Sequence, residues 1–297
     1  MSIAFNRTLD FAYGRADQVS PMIRRVVADN PSAFTFHGTG TYIVGTGKVA
    51  VIDPGPLDDA HFNALMRAVK DETVTHILVT HTHRDHSPLA ARFKAATGAP
   101  TYGYGPHGGD TNAPRVEEGP DWDFAPDIVV KDGGIVAGDG WTFEAVHTPG
   151  HTSNHLCFAL KEEKALFSGD HVMGWSTSVI SPPDGDMASY FRSLHKLLDR
   201  DDDIYWPTHG APIHDPKAHV RAFIAHREDR ERQILALLKD GGRTIPEMVL
   251  SMYADVNPGL HRAAARSVLS HLVKMAAEGR VRADGPVGPD ATYFAAG

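Results

Sequence analysis

The sequence has little that is typical of an exported, membrane-bound or nucleic-acid-binding protein. Its single cysteine, Cys157, excludes an intramolecular disulfide and is consistent with a reducing compartment. No apolar run approaches the roughly 18 to 20 residues that span a bilayer, and residues 1–7 do not have the pattern of a secretory signal. Asp and Glu (37) outnumber Lys and Arg (29), giving a net charge of −8, whereas binding to phosphate backbones requires basic side chains. We therefore expect a cytoplasmic protein with no membrane partner.

What the sequence does contain is a dense set of metal-ligand residue types in residues 80–86, which read THTHRDH directly after the apolar residues 77–79. Imidazole and carboxylate groups are the ligands that divalent transition metals take from proteins. Residues two apart in an extended segment point the same way, so His81 and His83 can bind one ion. Asp85 and His86 lie past the turn and can face a neighbouring ion. The alternative is a surface loop that is histidine-rich by chance.

Three other segments share this context of an apolar strand, a tight turn and a ligand-type side chain. They end in His151 (VHTPGH), Asp170 (LFSGD) and His209 (IYWPTHG). Turns at strand ends can bring side chains together along one edge of a sheet, where a rigid scaffold supports functional loops. The four segments together make an accidental loop a poor explanation.

Short apolar strands alternate with helical patterns between residues 35 and 210, which predicts a layered α/β domain. Residues 41–44 and 49–52 flank Gly-Thr-Gly and predict a hairpin. Apolar positions at helical spacing predict helices after Asp58 and after Pro88. Between Gly103 and Asp123 the chain is rich in glycine and proline and predicts a long surface loop.

The composition changes after residue 215. Residues 217–239 contain no helix breaker and carry an amphipathic stripe, and two shorter helical patterns follow at 245–253 and 260–278. Residues 281–294 contain two short extended pieces. Three helices followed by a hairpin is the order of a winged-helix module. We predict a catalytic domain over residues 1–214 and a small helical winged-helix-like domain over residues 215–297.

The order His-x-His-x-Asp-His, Pro-Gly-His, Ser-Gly-Asp and a late His-Gly resembles the metallo-β-lactamase superfamily. The resemblance implies a four-layered αββα sandwich of the α/β (α+β) class that holds two divalent metal ions. In that family pattern the first ion would bind His81, His83 and His151, and the second Asp85, His86 and His209, with Asp170 as the bridge. Zinc is the default for a histidine-dominated site, although iron or manganese also accepts such ligands.

The flanking residues and the C-terminal pattern resemble, more narrowly, the beta-lactamase-like-2 group, which includes a single-strand-selective endoribonuclease and many bacterial hydrolases. Two functions stay open. The first is a hydrolase in which a metal-bridging hydroxide attacks a small ester, thioester or lactone, and the net acidity favours it. The second is a metal-dependent endoribonuclease acting on single-stranded RNA, which the family resemblance favours. In both, Asp85 is the expected catalytic residue. The C-terminal module would be a lid or a homodimer surface in the first and would help to hold RNA in the second.

Three further residues are expected beside the ligands. Asp53 ends its strand and matches the family's structural aspartate near the site. His155 and His171 follow His151 and Asp170 closely in sequence, and each either faces the site or only packs in the core. The remaining histidines, including His107, have no strand-end context and are interpreted as ordinary surface or core residues.

Overall fold

The computed structural model describes residues 3–109 and 118–296. Its first sheet is built from strands that are consecutive in the chain. In spatial order its strands are β1 (Ala16–Gln18), β2 (Ile23–Val27), β3 (Gly40–Val44), β4 (Lys48–Ile52), β5 (Thr73–Leu78), β6 (Thr101–Gly103) and β7 (Ile128–Val129). Strands β1 to β4 pair antiparallel, so the predicted hairpin is confirmed. Strands β4 to β7 pair parallel. Parallel pairing needs crossovers, and α1 (Asp59–Ala68) and α2 (Leu89–Thr97) lie in the first two of them.

A second, mostly antiparallel sheet follows. Its strands are β8 (Ile135–Ala137), β9 (Thr142–His147), β10 (Leu156–Leu160), β11 (Ala165–Gly169) and β12 (Ile204–Pro207), in the spatial order β12-β11-β10-β9-β8. Strand β11 pairs parallel with β12, and α3 (Met187–Leu198) lies in the crossover between them. The carboxyl ends of β11 and β12 therefore point the same way.

Alternation along the strands determines the layers, because successive side chains point to opposite faces. In β3, Tyr42 packs in a core shared with the second sheet, whereas Ile43 packs with residues of α1 and α2. In β10, Phe158 belongs to the core between the sheets, and Cys157 packs with residues of α3 and of the later helix over residues 216–238. Helices thus cover the outer face of each sheet. The predicted four-layered αββα sandwich is confirmed.

The C-terminal residues form three helices and a small sheet. These are α4 (Pro216–Leu238), β13 (Arg243–Thr244), α5 (Ile245–Met252), α6 (His261–Ala277), β14 (Val281–Ala283) and β15 (Thr292–Ala295), with sheet order β13-β15-β14. Helix α4 belongs to two cores: Val220 and Phe223 pack under the second sheet, whereas Ile234 and Leu238 pack with α5 and α6. The domain boundary between residues 214 and 215 stays a prediction. None of the helices in the described residues is both long and apolar enough to cross a membrane.

The chain between β6 and β7 includes the predicted long loop, of which residues 110–117 lie outside the described residues. After this gap, His83 and Pro120 form an isolated β-bridge. The backbone N–H of Arg84 donates to the carbonyl of Gly119 at 3.0 Å, and that of Asp121 donates to the carbonyl of Thr82 at 2.8 Å. This described part of the loop therefore packs directly on the histidine motif.

Candidate metal centre

Residues 81–86 form a turn just beyond the carboxyl end of β5. Thr80 anchors the start of this turn, because its backbone N–H and its Oγ1 each donate to the Asp53 carboxylate at 2.7 Å. Within the turn, the N–H of His86 donates to the carbonyl of His83 at 3.0 Å. The side chains that could bind metal are buried, with His86 fully buried and Asp85 5% exposed.

The other three predicted segments reach the same edge of the sandwich. His151 follows the end of β9, Asp170 follows β11 directly, and His209 lies two residues beyond β12. All three residues are at most 6% exposed. His81 and His209 are 128 positions apart in the chain. The fold therefore brings distant strand ends to one place.

Three imidazoles form the first group. The nearest ring nitrogens of His81, His83 and His151 all lie within 4.8 Å of one another. The Nε2 atoms of His81 and His151 each lie 3.1 Å from His83 Nδ1. Three nitrogen donors converging from three directions form a common type of site for a divalent transition metal.

Asp85, His86 and His209 form a second group, with Asp170 between the two groups. The Nε2 atoms of His86 and His209 lie 3.3 and 3.2 Å from Asp85 Oδ2. Asp170 Oδ2 lies 3.5 Å from His86 Nε2, 3.4 Å from His209 Nε2 and 3.9 Å from His151 Nε2. The structure thus brings together all seven side chains that the sequence singled out as ligands.

Four of these histidines have their Nδ1 proton fixed by an oxygen behind the ring. His151 Nδ1 donates to the carbonyl of Val179 at 2.6 Å, and His209 Nδ1 donates to that of Gly38 at 3.1 Å. His86 Nδ1 donates to Asp53 Oδ2 at 2.9 Å. His81 Nδ1 lies 3.1 Å from Thr80 Oγ1, whose own proton goes to Asp53. The Nε2 atoms are therefore directed into the centre, as in metal sites whose ligands are oriented by surrounding acceptors.

Burial and neighbouring charges shift the pKa values of the His81 group and the Asp85 group differently. Burial away from water lowers the pKa of His81 and His83 well below the ordinary value of 6.5, so both rings are neutral at pH 7. Burial also opposes a charge on His209, but the Asp170 and Asp85 carboxylates outweigh it and raise the pKa of His209 to about 10. For Asp85, burial is outweighed by His86 and His209, which lower the carboxyl pKa below its ordinary value.

The donor set fits divalent metal ions. Among the described residues, His86 Nε2 and Asp170 Oδ1 are buried and have no hydrogen-bond partner, although buried polar atoms are normally satisfied. His86 Nε2 faces the carboxylates of Asp85 and Asp170, and a cation between them would satisfy it. Metal binds the neutral imidazole and the ionised carboxylate: His81, His83 and Asp85 already have these states, whereas His209 would release its proton when a cation binds.

His155 and His171 have different environments. His155 Nε2 accepts the backbone N–H of Asp170 at 3.2 Å, and its Nδ1 donates to Thr148 Oγ1 at 2.9 Å. His155 therefore holds the Asp170 backbone in place. Neither ring nitrogen of His171 has a partner among the described residues, and burial lowers the pKa of His171 to about 3. The ring lies 4.7 Å from that of Tyr190 in the core.

The structure adds one histidine that the sequence did not single out. The His107 ring centroid lies 6.0 Å from that of His83, and His107 Nδ1 lies 2.9 Å from Thr82 Oγ1. Asn154 Nδ2 donates to the carbonyls of Gly105 and Pro106, at 3.2 and 3.1 Å, and so holds this segment beside the site. The strand before His107, β6, has only three residues and no continuous apolar run, so the sequence around His107 lacks the pattern of the four predicted segments.

Two stacked aromatic side chains lie close to the residue that follows His209. Phe36 stacks on Trp175 with a centroid distance of 4.7 Å, and both side chains are half-buried. A Cβ atom on Gly210 would lie 3.0 Å from Trp175, so the indole packs against the residue that follows His209. Phe36 has a positive φ of 57°, a conformation that bulky residues adopt only when their surroundings enforce it.

Residues 35–209 match the metallo-beta-lactamase superfamily, and residues 244–288 match the beta-lactamase associated winged helix domain. The chain belongs to the metallo-β-lactamase superfamily. The predicted winged-helix module is confirmed by the second match. The expected class, a hydrolase of this superfamily, is confirmed as well.

Relatives of this superfamily member match most of its length. An atrochrysone carboxyl ACP thioesterase of Claviceps purpurea is 32% identical over 251 residues, covering 80% of this chain and 74% of that protein. A beta-lactamase-like protein 2 homolog of Caenorhabditis elegans is 31% identical over 274 residues, covering 89% and 88%. The crystal structure of a beta-lactamase domain protein from Burkholderia ambifaria has a TM-score of 0.81 at 19% identity, covering 99% and 97%, and shares the fold.

Proposed function

We propose that this protein is a metal-dependent thioesterase with a binuclear site. The observation that carries the proposal is the buried cluster of five histidines and two aspartates, whose lone pairs converge at one edge of the sandwich. The thioesterase named among its relatives, which matches 80% of the chain, favours a thioester over an ester or lactone. The net charge of −8 favours a small-molecule substrate over RNA.

Each residue of the cluster has a proposed role. His81, His83 and His151 would hold one divalent ion, and Asp85, His86 and His209 the other, with Asp170 between them. Zinc is the proposed ion because imidazole nitrogens dominate the ligand set. When bound, divalent ions supply positive charge that lowers the pKa of water and polarises a carbonyl group.

Asp85 is the proposed catalytic residue. Its Oδ2 accepts a hydrogen bond from Thr39 Oγ1 at 3.2 Å and faces the centre between His86 and His209. From this position the carboxylate can orient an attacking water and accept its proton at a carboxylate oxygen. The C–S bond then breaks, the departing sulfur takes the proton that Asp85 accepted, and the products are a thiol and a carboxylic acid.

The half-buried pair of Phe36 and Trp175 supports an acyl substrate. Trp175 of this pair packs against Gly210, the residue that follows His209, so the stacked rings lie close to the proposed reaction centre. Apolar pocket walls with a few polar groups are typical of small-molecule sites. An acyl chain could pack on these rings with its carbonyl carbon at the cluster.

Hydrolysis of a defined panel tests the proposal. Zinc-reconstituted wild-type protein should hydrolyse an S-acyl-N-acetylcysteamine thioester, and Asp85→Ala should lower its kcat by about 100-fold or more. Asp139→Ala, which removes an exposed carboxylate at 71% side-chain exposure, is the matched control and should leave kcat unchanged. A lactone and a single-stranded RNA complete the panel. RNA cleavage that disappears in Asp85→Ala, without thioester hydrolysis by the wild type, would overturn the proposal.

A further inference from the structure

The segment over residues 174–185 carries the carbonyl that orients His151. This segment follows Asp170 and contains no strand or helix. The carbonyl oxygen of Val179 accepts the Nδ1 proton of His151 at 2.6 Å. Because no sheet or helix fixes Val179, the position of its carbonyl depends on what else holds the segment.

Two arginines from the C-terminal helices hold it on either side of Val179. Arg227 of α4 donates through Nη2 to the carbonyl of Ser178. Arg266 of α6 donates through Nη1 to the carbonyl of Pro182 at 3.1 Å and to Ser181 Oγ at 3.4 Å. Helices that build the C-terminal core thus contact the segment that positions a proposed ligand.

Arg227 is an arginine in the protein interior, where a charged side chain is uncommon. It is only 3% exposed, and no carboxylate lies within 4 Å of its guanidinium among residues 3–109 and 118–296. Its Nε has no partner there either, and the guanidinium carbon lies 5.4 Å from the centre of the Tyr190 ring. A buried cation without a counter-ion is costly, so overall stability is a poor explanation for it.

The same contacts continue from Arg227 to the site. Ser178, which accepts from Arg227, donates its own hydroxyl to the carbonyl of His171 at 2.9 Å, and Tyr190 donates to that carbonyl at 2.8 Å. His171 is adjacent to Asp170 in sequence. The segment is therefore held by α4 at Ser178 and by α6 at Pro182. Its Ser178 hydroxyl also binds the chain just beyond the strand that ends before Asp170.

We propose that Arg227 and Arg266 are positioning residues through which the C-terminal helices hold residues 174–185 and thereby orient His151 for metal. The proposal rests on the metal site of the proposed function. In this proposal the winged-helix module helps to position a metal ligand of its own chain. Such orienting contacts typically change metal affinity by 10- to 100-fold.

The test measures zinc affinity by competition with a chromophoric chelator, together with the visible absorption of the cobalt-substituted protein. Arg227→Met, which keeps the size of the side chain but removes its donors, should weaken zinc binding about tenfold and change the cobalt spectrum. Arg227→Lys should restore part of the affinity. Arg232→Met, at an exposed position on the same helix, is the matched control and should bind zinc like the wild type.

A double-mutant cycle separates positioning from a merely structural role. In a His151→Ala background, Arg227→Met should weaken zinc binding no further, because the group it orients is gone. Arg266→Gln, at a half-buried position, should weaken zinc binding in the same direction and provides a second variant if Arg227→Met does not fold. Wild-type zinc affinity in both folded arginine variants would overturn the proposal and leave the metal site intact. Absence of zinc binding by the wild type would overturn the metal site itself.

Discussion

At the scale of single residues, Asp53 determines the orientation of two proposed ligands. Its carboxylate accepts from His86 Nδ1 and from Thr80, which lies against His81 Nδ1. Asp53 has a φ of 50°, a left-handed conformation that Asn also adopts readily. Asp53→Asn should therefore preserve the backbone but lose one acceptor. We expect zinc affinity to fall by about 10- to 100-fold while the fold is retained, as measured by chelator competition and circular dichroism.

The control for this prediction is Asp71→Asn, because the Asp71 carboxyl group is 85% exposed. That substitution should leave zinc affinity at the wild-type value. An Asp53→Asn protein that binds zinc as tightly as the wild type would show that His86 keeps its orientation without the carboxylate.

The proposed ligands and Asp53 could be predicted from the sequence, whereas the backbone carbonyls that orient His151 and His209 could not. His151 and Asp170 each follow an apolar strand and a tight turn, and this context is visible in the residue letters. Val179 and Gly38 act through backbone carbonyls, which every residue possesses, so their identities contain no signal. His107 reaches the site only because Asn154 holds its segment there. Contacts of this kind depend on tertiary structure.

At the scale of elements, the apolar runs of β3, β4 and β5 predict strands, whereas the sequence of β2 does not. β2 reads Ile-Arg-Arg-Val-Val, and its two arginines interrupt the apolar pattern on which strand prediction relies. Arg24 is accommodated by an ion pair with Glu72 at 2.6 Å, and Arg25 is buried at 4% exposure. The ion pair of Arg24 with Glu72 depends on tertiary structure, so the pattern of β2 alone does not indicate a strand.

A second prediction concerns Glu231, a residue of α4 that contacts α6. Burial opposes ionisation of Glu231, but hydrogen bonds from His271, Lys274 and Arg280 outweigh it and lower the carboxyl pKa to about 2, from an ordinary 4.5. The ionised form is thus favoured in the folded state. This stabilisation is complete above about pH 4.5 and is lost as the pH falls toward 2. The two pKa values correspond to about 3 kcal/mol.

Glu231→Gln should accordingly lower the free energy of unfolding by about 3 kcal/mol at pH 6 and by clearly less at pH 3. Urea unfolding of the wild type and the variant at both pH values measures the difference. Glu228→Gln, at an exposed position on the same helix, should show no such pH dependence. A Glu231→Gln deficit that is equal at both pH values would contradict the role of ionisation.

At the scale of the whole molecule, α4 connects two hydrophobic cores without a break. Phe223 is fully buried beneath the second sheet, and Ile234, three turns further along the helix, is fully buried among α5 and α6. The four tryptophans, Trp122, Trp141, Trp175 and Trp206, all precede α4. Tryptophan fluorescence therefore reports only on the sandwich, and it can show whether damage to the C-terminal core is transmitted there.

We expect transmission, because a helix shared by both cores cannot unfold in one core alone without fraying in the other. Ile234→Ala should cost about 2 to 5 kcal/mol and shift the fluorescence-detected urea midpoint as far as the midpoint from far-ultraviolet circular dichroism. Coincident transitions are the mark of a single cooperative unit. Leu250→Ala, at 64% exposure, is the control and should move neither midpoint. A circular dichroism transition that separates from an unshifted fluorescence transition would mean that the winged-helix module unfolds independently, in which case α4 does not couple the two cores.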